Sequence, residues 1–197
     1  MANPNITPTS TANAHCLLSF TGIPGPVVST ASGLTDPSFH VVWYEFDIMH
    51  PAVSAVAGVH QGSGRIAQSA FRVVILDHNT TGLFNAYTNG NINPTVKIGL
   101  TQRVGPTVSP LLVFELTNVR ISEFSQMEWS QIKDRKLEFP FIHGLNLEDA
   151  PSFRGSRVVE LFLDPQQTTV SYTPIGTDGT VEGVLSQKYN ALTLAIA

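Results

Sequence analysis

Three histidines at even intervals, His40, His50 and His60, and a serine between glycines, Ser63, are the first places where this sequence could do chemistry. A metal needs several ligands converging on one point. His40 falls on a predicted strand end and the other two in a predicted loop, so even spacing does not bring them together; all three read as structural histidines. Ser63 lacks the Gly-x-Ser-x-Gly elbow and an assignable base, which an activated hydroxyl requires. Glu115, Glu123, Glu128, Glu138 and Glu160 could supply two carboxylates for acid and base work, but their spacing selects no pair. The run GTDGTVEG has neither the Lys-Ser or Lys-Thr nor the following helix of a phosphate loop. Trp43 and Tyr44, within HVVWYEFDI, read as barrel wall. The expectation is a chain with no catalytic residue, no cofactor and no metal.

The elements that would have to position any such residue are strands. β-branched and aromatic runs recur between Gly, Pro and Asn clusters, the pattern of an all-β barrel or sandwich. Strands are predicted near 14–22, 38–48, 66–76, 93–104, 110–123, 156–164 and 167–174, with a weaker one around 181–195. Only NTTGLFNAYTNG reads as helix. Asn79 or Thr80 can cap its start, Leu83, Phe84 and Tyr87 form an apolar stripe, and Gly90 can end it. Gly105-Pro106 signals a turn that joins the two longest alternating runs into one hairpin. The fold class is therefore a small β-barrel of two packed antiparallel sheets with one short α-helix and an extended inter-strand loop.

One strand has an unusual pattern. In LLVFELTNVRISEF, Leu112, Phe114 and Leu116 share a face, whereas Val119 and Ile121 fall on the other, so the alternation flips at Thr117-Asn118. A one-residue phase slip exchanges the sides of a strand. Phe114, Leu116, Val119 and Ile121 are thus expected not to fit together inside one barrel.

Charged residues make up 13% of the 197-residue chain and hydrophobic ones 42%, against roughly 25% charged in ordinary soluble domains. Such a surface points to protein partners. The net charge of -4 gives no basic footprint for nucleic acid, and one cysteine, Cys16, allows no internal disulfide. No apolar run is long enough for a membrane span, and MANPNITPTST has neither the basic start nor the apolar core of a signal peptide. The expectation is assembly in the cytoplasm. One domain is expected over 14–197, after a lead over 1–13 and with an extension over 176–197. Two loops are unusual: Ile48 to Arg65 carries no charge between His50 and Gly64, and Ser125 to Ser156 is long and apolar. Both should pack on something.

The order of features resembles the Hcp family, the tube proteins of bacterial type VI secretion systems, related in fold to contractile phage tail tubes. FRVVILDHNTTGLFNAYTNGNINPTVKIGLTQR is similar to that family's strand, short helix, glycine and returning strand. LLVFELTNVRISEFS is similar to its next strand, through Leu116, Asn118, Val119 and Ile121, and SRVVELFLDPQQTTVSYTP resembles its closing pair. The chain departs from the family in Thr81-Gly82, where Ser-Pro is usual, and in its lead and tail. The resemblance implies a structural subunit of hexameric rings that stack into the inner tube of a contractile injection system, exported through the apparatus without a signal peptide. Sheath, spike and baseplate proteins and effector cargo would be its partners. It implies a ring-stacking loop with Pro51, Val53, Val56, Val59 and His60. The two-faced strand would place Phe114, Leu116, Val119, Ile121 and Phe124 at the ring interface. A phage or phage-derived tail tube is the alternative within the same class. A β-barrel enzyme or ligand-binding protein is the rival, and it needs an interior polar cluster that the sequence does not offer.

Overall fold

The computed structural model describes residues 14–31, 33–46, 48–49, 67–68, 70–104, 107–128, 157–174 and 183–190. Their elements run β1 (Ala14–Phe20), β2 (Ser38–Glu45), β3 (Ile48–Met49), β4 (Ala67–Gln68), β5 (Phe71–Leu76), α1 (Thr81–Thr88), β6 (Ile92–Val104), β7 (Thr107–Glu128), β8 (Arg157–Tyr172) and β9 (Leu185–Asn190). The main sheet has the order β5-β2-β1-β6-β7-β8-β9, every pairing antiparallel, and β5 also pairs with β8. That last pairing closes a six-stranded barrel, and the fold is all-β as expected.

Burial follows the strand alternation. Phe71, Val73 and Ile75 of β5, Val159, Leu161 and Leu163 of β8, and Val96 and Ile98 of β6 form one core with Leu18 and Phe39. Gly99, next to Ile98 on β6, leaves room for the buried Leu34, whose side chain a Cβ there would overlap. A second cluster, Val42, Trp43, Val74, Met127 and Val158, joins β2, β5, β7 and β8.

The phase flip in β7 is real, but its consequence differs from the expectation. Phe114, Leu116, Val119 and Ile121 are all buried in the protomer's own core. Asn118 adopts a left-handed backbone (φ 52°), which asparagine tolerates better than most residues. The strand turns there, and both apolar runs face inward. The neighbouring strands flip at the same level. Thr117 pairs with Thr95 and Gln167, and Val119 pairs with Asn93 and Pro165. Asn93 and Val96 both point in, as do Pro165 and Thr168. Pro94, Asn118 and Gln166 therefore mark a crease across three strands. Asn118 Nδ2 donates to Gln166 Oε1 at 2.9 Å, and Asn93 Nδ2 donates to the Val119 carbonyl at 3.3 Å.

Other sequence expectations shift for local reasons. The segments 156–164 and 167–174 are one strand, β8, since the crease absorbs Pro165 without ending it. β7 continues to Glu128, paired with Arg157, so the expected loop from Ser125 starts later. Thr80 takes the N-cap position of α1, yet its hydroxyl donates to Asp77 Oδ1 rather than capping the helix. Leu83 and Ala86 are the buried helix residues, and Phe84 and Tyr87 lie largely outside. Gly90 ends the helix as expected. At φ 63° its N–H reaches the Tyr87 carbonyl while Asn91 N–H reaches Ala86, a Schellman closure. Gly105-Pro106 lie outside the described residues, but Val104 pairs with Thr107 on either side of them.

Candidate functional site

β8 is shared between two neighbours along a single edge. Its first half, Val158 to Leu163, pairs with β5 and closes the barrel. Beyond the crease, Gln167 to Tyr172 pairs with β9 instead. The sheet β1-β6-β7-β8-β9 thus runs on past the closure. At its far side β2 covers only Leu17 to Ser19 of β1, and Ala14 to Cys16 pair with β6 alone among the described residues. Among the described residues, one side of β9 and this end of β1 are the two open edges of that sheet. Tyr172, Val184 and Leu185 are exposed beside β9. Open edges offer unpaired N–H and C=O groups and invite another strand.

The second feature is a cation held between rings. Arg72 lies with its guanidinium carbon 5.0 Å from the centre of the Trp43 ring and 5.7 Å from that of Phe162. Its Nε donates to Glu160, which is buried, and its Nη1 stands 3.7 Å from the exposed Glu45. Glu160, one of the carboxylates considered for acid and base work, is thus committed to an ion pair. Glu115 stands 3.8 Å from Lys97, and Glu123 and Glu128 are exposed. Glu138 lies outside the described residues.

Burial pushes the Cys16 thiol up to about 12; it also raises the Tyr44 hydroxyl to about 12, with the Cys16 charge as the lesser cause. Both therefore hold their protons at neutral pH. His40 is partly buried on β2, while His50, His60 and Ser63 lie outside the described residues. Among the described residues no three His, Cys, Asp or Glu side chains cluster as a metal site.

Of the residues expected at a ring interface, Phe114, Leu116, Val119 and Ile121 cannot touch a neighbour from inside the core. Phe124 is half-buried and packs against Phe84 and Tyr87, with ring centres 5.4 and 6.0 Å away. An open groove of about 500 Å³ lies beside them, between Tyr87, Thr88, Arg120, Ile121, Ser122 and Asp164. The expected stacking residues Pro51, Val53, Val56, Val59 and His60 lie outside the described residues. The strands flanking that segment form an antiparallel stem, Ile48 with Gln68 and Met49 with Ala67. The open edges were missed in the sequence because they depend on which strands pair. The breakers Pro94, Asn118 and Pro165 were their one visible signal.

No family model and no curated protein sequence matches the chain. Solved folds do. A protein described as a type six secretion system protein superposes with a TM-score of 0.70 at 12% identity, covering 91% of this chain and 96% of that one. The chain has the Hcp fold. Hcp1 from Salmonella typhimurium gives 0.59 at 13% identity, over 92% of this chain and 97% of its own. The secreted protein Hcp3 from Pseudomonas aeruginosa gives 0.51 at 12% identity, over 90% and 96%. The likeness spans barrel and helix together.

Proposed function

We propose that this chain is a structural tube subunit of a contractile injection system, forming hexameric rings that stack into a hollow inner tube and carry effectors. The observation that carries this reading is the pair of open sheet edges on a barrel that is otherwise closed. A closed barrel has no edge to offer, whereas here one antiparallel sheet runs past the closure and ends on opposite sides. Two different edges on one molecule suit a head-to-tail contact, which generates a ring when the rotation closes. The Hcp fold supports the same assignment. The ring contact is therefore moved from the buried residues of β7 to the ends of the sheet.

The β3–β4 stem brackets the segment from His50 to Ile66, and in this proposal that segment reaches the next ring. Pro51, Val53, Val56, Val59 and His60 make the stacking contact. Sheath, spike and baseplate proteins are the expected partners of the finished tube. No reaction is assigned to the chain.

Electron microscopy of the purified protein in negative stain tests the proposal, with rings as the expected result. A stable monomer across the micromolar range, seen by light scattering, rejects it. Val56→Asp separates stacking from ring closure. Rings should persist and tubes should not, because a carboxylate would be desolvated at every ring junction. Loss of the rings themselves would place Val56 in its own barrel.

A further inference from the structure

The direction of the strands sets a condition on any ring built from this sheet. Rotation about a ring axis preserves the component of strand direction along that axis, so a neighbour's β1 runs the same way along it as this chain's own β1. Along the sheet the directions alternate: β1 and β7 run one way, β6 and β8 the other, and β9 returns to the direction of β1. With β9 in place, the two open edges would therefore meet in parallel. Without β9, the exposed edge of β8 would meet the neighbour's β1 antiparallel. Every strand pair among the described residues is antiparallel, and antiparallel ladders are the slightly more stable kind per residue.

We propose that β9 is an internal stand-in for a neighbouring subunit: it occupies, in the right direction, the edge Gln167 to Tyr172 of β8 that receives β1 of the next copy, and it leaves that edge when a ring closes. This rests on the ring assembly proposed above.

The way β9 is held fits a strand that can leave. Leu185, Ser186, Gln187 and Lys188 are all exposed, so these four residues bury little beyond their backbone ladder. Its one described side-chain hydrogen bond runs from Ser171 Oγ to Ser186 Oγ at 3.2 Å. Twelve residues separate Tyr172 from Leu185, far more than the two-residue turn that would pin a hairpin. The barrel-closing half of β8 contrasts with this. There Val159, Leu161 and Leu163 are buried against β5, so closure survives when β9 moves. Among the described residues the incoming strand has an open edge at Ala14 to Cys16. A strand whose described residues are held mainly by their ladder delays premature ring closure and yields to a partner that brings an equivalent ladder plus further contacts.

A reversible lock tests this in the full-length chain. Ser171 and Ser186 face each other across the ladder, and directly opposed residues stand about 4.5–5.5 Å apart at Cα, within disulfide range. Ser171→Cys/Ser186→Cys should form a disulfide that keeps β9 on β8. Cys16, with its thiol kept protonated by burial, should not compete. The oxidised variant should stay monomeric at concentrations where its reduced form and the wild type give rings. Amide hydrogen exchange should show Leu185 to Asn190 losing protection in wild-type rings, with Gln167 to Tyr172 keeping theirs. Rings from the oxidised variant, or protected β9 amides in wild-type rings, overturn the proposal and leave β9 as a fifth strand at a parallel seam. If neither the reduced variant nor the wild type assembles, the ring reading itself fails, and this proposal with it.

Discussion

Replacing Asn118 tests whether the crease is a backbone property. At φ 52° a side chain with a branched Cβ crowds its own backbone. The left-handed conformation costs an ordinary L-residue about 1–2 kcal/mol. Loss of the exposed Asn118–Gln166 hydrogen bond adds about 0.5 kcal/mol. Asn118→Val should therefore destabilise the protomer by about 2 kcal/mol. For a domain of this size that is a fall of about 4–8 °C in midpoint temperature. Asn118→Gly keeps the left-handed backbone and loses only the side-chain bond, so it should cost no more than about 1 kcal/mol after its greater unfolded-state freedom is counted. Thermal and urea unfolding of dilute protein measure both. Equal losses from Val and Gly would assign the effect to the side-chain bond, and a neutral Val variant would show that the strand needs no left-handed residue. Either result refutes the crease as the device that sends Leu116 and Val119 into one core.

Leu116→Ala should cost the isolated protomer about 2–5 kcal/mol, because Leu116 is fully buried and a cavity would remain; an unchanged urea midpoint would return it to the subunit surface. Glu160→Leu should cost about 1.5–3 kcal/mol by removing the buried partner of Arg72 and leaving it the exposed Glu45, whereas Arg72→Met/Glu160→Leu should recover much of that in the same assay. A double variant as unstable as the single one would show that the rings of Trp43 and Phe162 need the cation. Stability should fall as pH rises above about 9, where an unfolded cysteine ionises, and go on falling towards about 12. Over that range folded Cys16 and Tyr44 keep protons that the unfolded chain loses, so the native state binds more protons. Urea midpoints across this range check the sign, and Cys16→Ala should delay the onset towards 10, the ordinary value for tyrosine.

Strand positions were legible because they depend on local pattern. β2 and β6 carry alternating or β-branched runs, and their observed spans lie close to the expected ones, whereas the strand expected over 66–76 is divided into β4 and β5. What the sequence concealed follows from treating strands as straight. Alternation assigns Leu116 and Val119 to opposite faces, and only the backbone angle at Asn118 reverses that assignment. Pro165 reads as the end of a strand, yet it stands opposite Val119 at the crease, where β8 is already turning. On α1 the stripe was half right: Leu83 is buried, but in a helix of two turns the inward face has room only for it and Ala86. The open edges were beyond reach because they arise from pairings distant in sequence, such as β5 with β8.

The crease explains how one chain can be both a closed barrel and an open sheet. A straight β7 of 22 residues would reach about 70 Å, far outside a domain of this length with a radius of gyration near about 16 Å. Folding β6, β7 and β8 along Pro94, Asn118 and Gln166 divides that length between two halves of one bent sheet. The Val158 to Leu163 half of β8 closes on β5, and the Gln167 to Tyr172 half, having turned away from β5, is left needing another strand. That need is a geometric result of the bend. A chain that bends there must either supply the missing strand itself, as β9 does, or take it from a neighbour. Closure of the barrel and the edge of β8 that the proposed ring would use are therefore two consequences of the same three residues.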